Sequence, residues 1–320
     1  MYLITGATGF VGSAVMNRLI ADKSLLVAAV RKKPLEWMSH CPVVEIEDLE
    51  LNTDWSVALI GVSKVVHTAA RVHVMKDQIA NPLAEFRRVN VAGTLNLAQQ
   101  AAAAGVKRFV FVSSIKVNGE QTQKGQPFTE KDRANPLDSY GISKYEAEVG
   151  LQRIAKETGM EVVIVRPVLV YGPGVKGNFL SMMRWLHKGI PLPLGSINNT
   201  RSFVALDNLV DLIITCLHHP SAANQTFLVS DGEDMSITQL LQYTALAMKV
   251  KARLMPVPAL IIQVIAKLLG KNKVAQRLCS NLQVDISKAR QLLGWMPPIS
   301  VRDGLRRTVE GYVQSGSLLK

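Results

Sequence analysis

Four short runs of this chain are built around consecutive apolar residues, rich in Val, with no apolar–polar alternation: LVAAV (26–30), KVVHTA (64–69), RFVFVSS (108–114) and VVIVRP (162–167). A strand with one wet face alternates apolar and polar residues, so unbroken runs fit strands buried on both faces of a parallel sheet. Between them lie helical stretches, Gly12 to Ala21, Pro82 to Ala104 and Ser139 to Thr158. The last two are followed by Gly105 and Gly159, where a helix C-terminus takes glycine. Strand and helix in repeated succession predict an α/β fold, a doubly wound parallel sheet with helices on both faces.

After Arg166 the texture changes. Residues 171–200 are rich in Gly, Pro and Asn around one helix near Asn178 to Lys188. Asp207 to His218 is again helical, QTFLVS (225–230) reads as a last sheet strand, and the pattern is helical from Ser236 onward. The expected division is a dinucleotide-binding body, 1–170 plus about 205–232, and a smaller, mostly helical C-terminal substrate lobe, about 171–204 plus 233–320. The longest apolar stretch, Pro256 to Gly270, is broken by Gln263 and Lys267 and is too short to span a bilayer. It reads as an amphipathic helix buried in the lobe rather than as a membrane contact.

An apolar share of 48% against 19% charged residues excludes a disordered chain. The formal charge of +12 favours an anionic partner: nucleic acid, an anionic membrane or a phosphorylated small molecule. No basic run interleaves with aromatics and no zinc-finger spacing occurs, so nucleic acid is not expected. Cys41, Cys216 and Cys279 form no CxxC pair, as suits reduced thiols in a cytoplasm. Met1 leads straight into a strand-like run, so no leader and a cytoplasmic location are expected. His73 and His187 have no metal-ligand spacing with acidic residues, and no metal site is expected.

The first strand, Tyr2 to Thr5, runs into Gly6-x-x-Gly9-x-x-Gly12 and then a helix. Glycines there permit unusual φ, let a pyrophosphate approach the backbone and let helix and strand pack closely, while the helix N-terminus offers amides to the phosphates. The spacing departs from the usual G-x-G-x-x-G and a plain tight turn is the alternative, but its place on a strand-to-helix junction at the start of a βαβ series predicts Rossmann dinucleotide binding. The ribose position about twenty residues on, where NAD-binding proteins place an acid, holds Val30-Arg31-Lys32 instead. Arg31 and Lys32 suit a 2′-phosphate, so NADPH is the expected cofactor, with NAD(H) also compatible.

Tyr140 and Lys144 are four apart in a helix-forming stretch and share one helical face. A nearby ammonium is expected to lower the tyrosine pKa toward the working pH. Ser113 and Ser114 stand at the C-terminal end of RFVFVSS, the sheet edge where open α/β folds bind ligands.

These residues resemble the extended short-chain dehydrogenase/reductases, the NAD-dependent epimerase/dehydratase family that modifies nucleotide sugars. The resemblance runs through TGATGFVG, VVHTAA, Asn90-Val-Ala-Gly-Thr94, FVSS, YGISK, RPVLVYGPG, TRSFVALDNLVD and DISKARQLLGW in family order. It implies a catalytic triad of Ser114, Tyr140 and Lys144, with Tyr140 exchanging the proton and Lys144 also touching the cofactor. It implies cofactor contacts from Gly6, Gly9, Phe10, Val11, Gly12 and Ala69, with Asp48 and Leu49 beside the adenine. Asn178 and Arg201 would hold the diphosphate of a UDP-sugar substrate, and a homodimer is the expected assembly. His67 reads as a packed structural residue near the cofactor.

The departures narrow the reaction. Where the family's 4,6-dehydratases carry an Asp-Glu pair, this chain has Ile115 and Lys116, so a dehydratase is not expected. Asn118 and Leu169 also replace residues usual in the family. Leu282 aligns with a position that is a bulky tyrosine in epimerases restricted to non-acetylated sugars, and a leucine there would leave room for an N-acetyl group. With Arg31, the resemblance implies NAD(P)H-dependent reduction of a UDP-4-keto-6-deoxy-N-acetylhexosamine at C4, giving UDP-N-acetylquinovosamine or UDP-N-acetylfucosamine for O-antigen synthesis. The alternative is a UDP-glucose or UDP-N-acetylglucosamine 4-epimerase. A remote alternative is a non-catalytic NADP-binding scaffold.

Overall fold

Among the described residues, seven strands join in one parallel sheet, in the order β3-β2-β1-β4-β5-β6-β9. They are β1 (Tyr2–Thr5), β2 (Leu26–Val30), β3 (Val43–Glu45), β4 (Lys64–His67), β5 (Arg108–Val112), β6 (Glu161–Pro167) and β9 (Thr226–Val229). Two further strands, β7 (Leu169–Tyr171) and β8 (Phe203–Ala205), pair apart from it. The computed structural model describes residues 1–31, 41–72, 81–270 and 272–314.

Burial on both faces is what the apolar runs require. Leu3, Val65 and Phe109 enter one core cluster, whereas their chain neighbours Ile4, Val66 and Val110 enter the other. Helices α1 (Phe10–Ala21) and α6 (Leu206–His218) cover the face of Ile4, through Val15, Met16, Leu209 and Ile213. Helices α3 (Thr94–Ala103) and α4 (Ser139–Thr158) cover the face of Leu3, through Leu97, Ala101, Leu151 and Ile154. The chain leaves β1 in one direction along the sheet and returns at β4 on its other side. The topological switch point therefore lies between β1 and β4, where open α/β sheets place their ligands.

The stretch expected as one helix from Pro82 to Ala104 is divided. Helix α2 (Pro82–Phe86) passes through a π-helical turn, Arg87–Gly93, into α3. Two long-range demands account for it. Asn90 is turned inward to bond Arg71 and Ser143, and Gly93 passes so close to Leu49 that a Cβ there would stand 2.7 Å from its carbonyl carbon. Single π turns of this kind concentrate at functional sites.

The C-terminal region is mostly helical: α5 (Gly177–His187), α7 (Ile237–Ala247), α8 (Ala259–Leu268), α9 (Asn272–Cys279), α10 (Ser287–Leu293) and α11 (Val301–Gln314). A third apolar cluster joins Tyr171 and Phe203 to Phe179 and Met183 of α5, Leu240 of α7 and Leu305 of α11. Helix α8 departs from expectation, because none of its residues is buried. Among the described residues, no helix is long and apolar enough to cross a membrane.

Candidate active site

The turn after β1 is shaped for an anion. Gly6 has φ +68°, in the left-handed region, and a Cβ there would lie 2.6 Å from the amide nitrogen of Ala69 at the end of β4. A Cβ on Gly12 would stand 2.1 Å from the carbonyl oxygen of Gly6, so neither position admits a side chain. The Gly9 amide donates to that oxygen at 2.8 Å and closes the turn. Gly9 caps α1 without a side chain, and the amides of Phe10, Val11 and Gly12 have no carbonyl one turn behind them. This cradle fits a dinucleotide pyrophosphate by its bare backbone and its helix N-terminus together.

Strand β5 ends at Val112 and releases Ser113 and Ser114 at the sheet edge. Ser113 is buried and its hydroxyl donates to Glu148, so it faces away from the edge. Ser114, partly exposed, accepts from the Lys116 amide at 3.3 Å and starts a 3-10 turn over Ile115–Val117. That turn abuts α4: a Cβ on Gly141 would stand 2.9 Å from the Lys116 carbonyl oxygen, so Tyr140 is carried beside the end of β5. Asp138 caps α4 by accepting from the Gly141 amide at 2.7 Å.

Lys144 is buried on the same helix. Its Nζ donates to the Val112 carbonyl at 2.9 Å and lies over the Phe111 ring, 4.4 Å from the centroid. Burial brings its pKa down to about 7, against the pull of the Glu148 carboxylate. The expectation that Lys144 lowers the Tyr140 pKa is not met in this arrangement. Burial, and then the Asp138 carboxylate, push the phenol above its ordinary value. The ammonium stands 6.0 Å from the centre of the Tyr140 ring and is committed to Val112.

A cation that the sequence reading treated only as a missing acid stands here too. Lys116 pairs with Asp138 and lies over the Tyr140 ring, 5.7 Å from its centroid. Burial raises the Asp138 carboxyl, but the Lys116 hydrogen bond and the Gly141 amide hold it below the usual range.

The remaining candidates are spread around the sheet edge. Arg31 is exposed directly after β2, and Lys32 lies outside the described residues. Asp48 is exposed and Leu49 buried, its backbone against Gly93. Asn178 is exposed in the first turn of α5. Arg201 pairs its backbone with Leu282 and donates from its guanidinium to the Arg277 and Ser280 carbonyls, both at 2.9 Å. Burial, then the Arg277 charge, lowers its pKa to about 10, and among the described residues no carboxylate pairs with it. Leu282 is buried and belongs to the main core cluster. His67 is buried between Thr5, 2.6 Å from Nδ1, and Thr94, 2.9 Å from Nε2, and burial holds its pKa down to about 3. That environment is structural.

A family model described as the NAD dependent epimerase/dehydratase family matches residues 2–230. The chain belongs to that family. It is 47% identical over 316 residues to a UDP-glucose 4-epimerase of Vibrio cholerae, covering 98% of this chain and 96% of that one. Among solved structures, the UDP-glucose 4-epimerase of Thermotoga maritima with UDP-glucose is similar at TM-score 0.78 and 23% identity, covering 98% of this chain and 99% of that one. A UDP-glucuronic acid 4-epimerase from Bacillus cereus in complex with NAD is similar at TM-score 0.80 and 23% identity, covering 99% and 98%.

Two features of this family member lie beneath the edge residues. Asn90 bonds the Arg71 backbone in both directions and reaches Ser143 on α4 at 3.0 Å, tying the segment after β4 to the turn that carries Tyr140. Arg166 of β6 makes a buried two-point contact with Glu148, at 3.0 and 2.5 Å, and donates to Asn118 at 2.8 Å. Asn118, a departure from the usual family residue, is thus part of the scaffold under the 3-10 turn. Neither role was visible in sequence, because each partner is eighteen or more positions away.

Proposed function

We propose that this protein is a UDP-hexose 4-epimerase acting on UDP-glucose or UDP-N-acetylglucosamine with resident NAD. The observation that carries this reading is the 47% identity, along nearly the full length of both chains, to the Vibrio cholerae UDP-glucose 4-epimerase. It favours the epimerase alternative over the 4-ketoreductase that the sequence reading put first.

The chain's own residues have separable tasks. Bound NAD would supply a hydride acceptor that later returns the hydride. Tyr140 takes the proton of the sugar C4 hydroxyl and gives it back after the keto sugar has presented its other face. Ser114 holds that same oxygen, and its hydrogen bond strengthens as charge develops there. Lys144 donates one N–H to the Val112 carbonyl, and its two remaining N–H donors suit ribose hydroxyls. Arg201, with no carboxylate partner among the described residues, and Asn178 bind the diphosphate. Leu282 stands in place of a bulkier ring and admits an N-acetyl group. Lys116 cannot serve as the acid–base pair that a dehydration needs.

The reductase with NADPH remains the rival, supported by Arg31 at the end of β2. One experiment separates them. Purified protein is given UDP-glucose, UDP-N-acetylglucosamine and, in a parallel sample, UDP-4-keto-6-deoxy-N-acetylglucosamine with NADPH. Interconversion of a C4 epimer pair with no net change in nicotinamide absorbance is the expected outcome. No interconversion, with one NADPH oxidised per keto sugar consumed, would reject the epimerase.

A further inference from the structure

We infer that helix α8 docks this protein on the surface of an anionic lipid bilayer, lying flat with its apolar face in the headgroup region. The inference does not depend on the proposed reaction. A water-facing helix is normally polar on its outer side, and α8 is the reverse. Leu260 is 71% exposed, Leu268 82%, and Ile261, Val264 and Ile265 about half. At 100° per residue these five fall within one arc of about 140°. On the inward side, Ala259 and Ile262 pack against the third core cluster, so the helix is seated and its outer face is left apolar. Leu269, just beyond, is 65% exposed. A contiguous exposed face of this kind marks an interaction surface.

Charge selects the occupant. From Met235 to Val284 the chain has no aspartate or glutamate, and it carries seven cations, Lys249, Lys251, Arg253, Lys267, Lys271, Lys273 and Arg277, of which Arg277 pairs with Glu120 and Lys271 lies outside the described residues. Lys267 falls at the edge of the apolar arc, about 20° from Leu260. An apolar face bordered by cations is the pattern of a helix that lies in an anionic interface. A second copy of the chain fits poorly, because pairing this face with itself would bring like charges together. Helix α8 spans about 15 Å, enough to lie on a bilayer and too little to cross one.

The neighbouring surface extends the patch. The Leu192 amide donates to the Arg253 carbonyl and the Met255 amide to the Leu192 carbonyl, which sets the segment entering α8 beside residues 190–192. Met255, Ile190 and Trp185 are all exposed there, and tryptophan favours the membrane–water boundary. Helix α9, which follows, supplies the Arg277 carbonyl that Arg201 binds, so the docking helix adjoins the candidate substrate segment.

The test is co-sedimentation of the full chain with vesicles of phosphatidylcholine alone and of phosphatidylcholine mixed with phosphatidylglycerol, at low and high salt. Wild type should pellet with the anionic vesicles at low salt and be released by salt. The triple variant Leu260→Gln, Val264→Gln, Leu268→Gln should lose about tenfold or more in partitioning, with unchanged thermal melting and unchanged sugar turnover. Failure of wild type to bind anionic vesicles overturns the proposal, as does equal binding by the triple variant. Sedimentation velocity without lipid completes it: self-association abolished by the triple variant, with no vesicle binding by wild type, assigns the face to a second copy instead.

Discussion

Replacing Lys144 with methionine tests whether the candidate site holds a charge at the expense of the ligand-free fold. Lys144 is 2% exposed, and burial brings its pKa from 10.5 to about 7. In the unfolded chain the ammonium persists to its ordinary pKa. Between the two values the unfolded state binds more protons than the native one, so native stability rises with pH. From pH 7 to pH 9 the change due to this group integrates to about 2 kcal/mol. Above about pH 10 the raised pKa of Tyr140 works in the opposite sense, since the unfolded phenol ionises first. The useful window therefore closes there. Lys144→Met keeps the apolar stem, removes the titration and deprives the Val112 carbonyl of its donor. That lost bond lowers the stability of the variant by an amount that does not vary with pH. Urea midpoints for both proteins, free of ligand, at pH 7 and pH 9 give the stability of wild type minus variant at each pH. That difference should grow by about 2 kcal/mol from the lower to the higher pH, while turnover of the nucleotide sugar by the variant falls steeply at both. A difference that stays constant, or shrinks, would refute the buried, depressed lysine and with it the argument for Lys144 as the tuned charge of the site.

Three further outcomes are expected. Tyr140→Phe should lower turnover by ~10²–10⁴-fold with cofactor affinity nearly unchanged, and wild-type turnover in a stopped assay would assign the proton to another group. Gly12→Ala should weaken dinucleotide binding and lower the melting temperature, because its Cβ would overlap the Gly6 carbonyl; a cofactor titration that matches wild type contradicts the cradle. Arg31→Asp should leave NAD binding near wild type and abolish any residual NADP binding by removing a charge-assisted contact of roughly 1.5–3 kcal/mol; NADP affinity untouched by the change removes Arg31 from the ribose site.

Local pattern carried a large part of this protein. Apolar runs without alternation could be satisfied only by strands covered on both faces, and β2 and β5 are buried at every position. Helix α4 spans Ser139–Thr158, the stretch read from its periodicity, and it ends at Gly159 in the left-handed conformation. The three-glycine turn was legible because its requirement is local: a positive φ at Gly6 and no room for a Cβ at Gly6 or Gly12. Strands β3, β7 and β8 were missed, being three residues each and too short for any periodicity to register.

What tertiary structure alone decided involves partners far apart in the chain. Ser113 and Ser114 are chemically identical neighbours, and only Glu148, thirty-five positions on, turns one inward and leaves the other at the sheet edge. The pKa of Tyr140 was misjudged from its spacing to Lys144. Position on one helical face says nothing of the burial that raises the phenol, or of Asp138 acting beside it. The same limit applies to α8. Its sequence specifies an amphipathic helix, but whether an apolar face meets a core or the solvent depends on what the rest of the chain brings against it, and here nothing among the described residues covers Leu260, Val264 and Leu268. Periodicity is a property of neighbours along the chain, whereas burial and electrostatic environment are properties of neighbours in space.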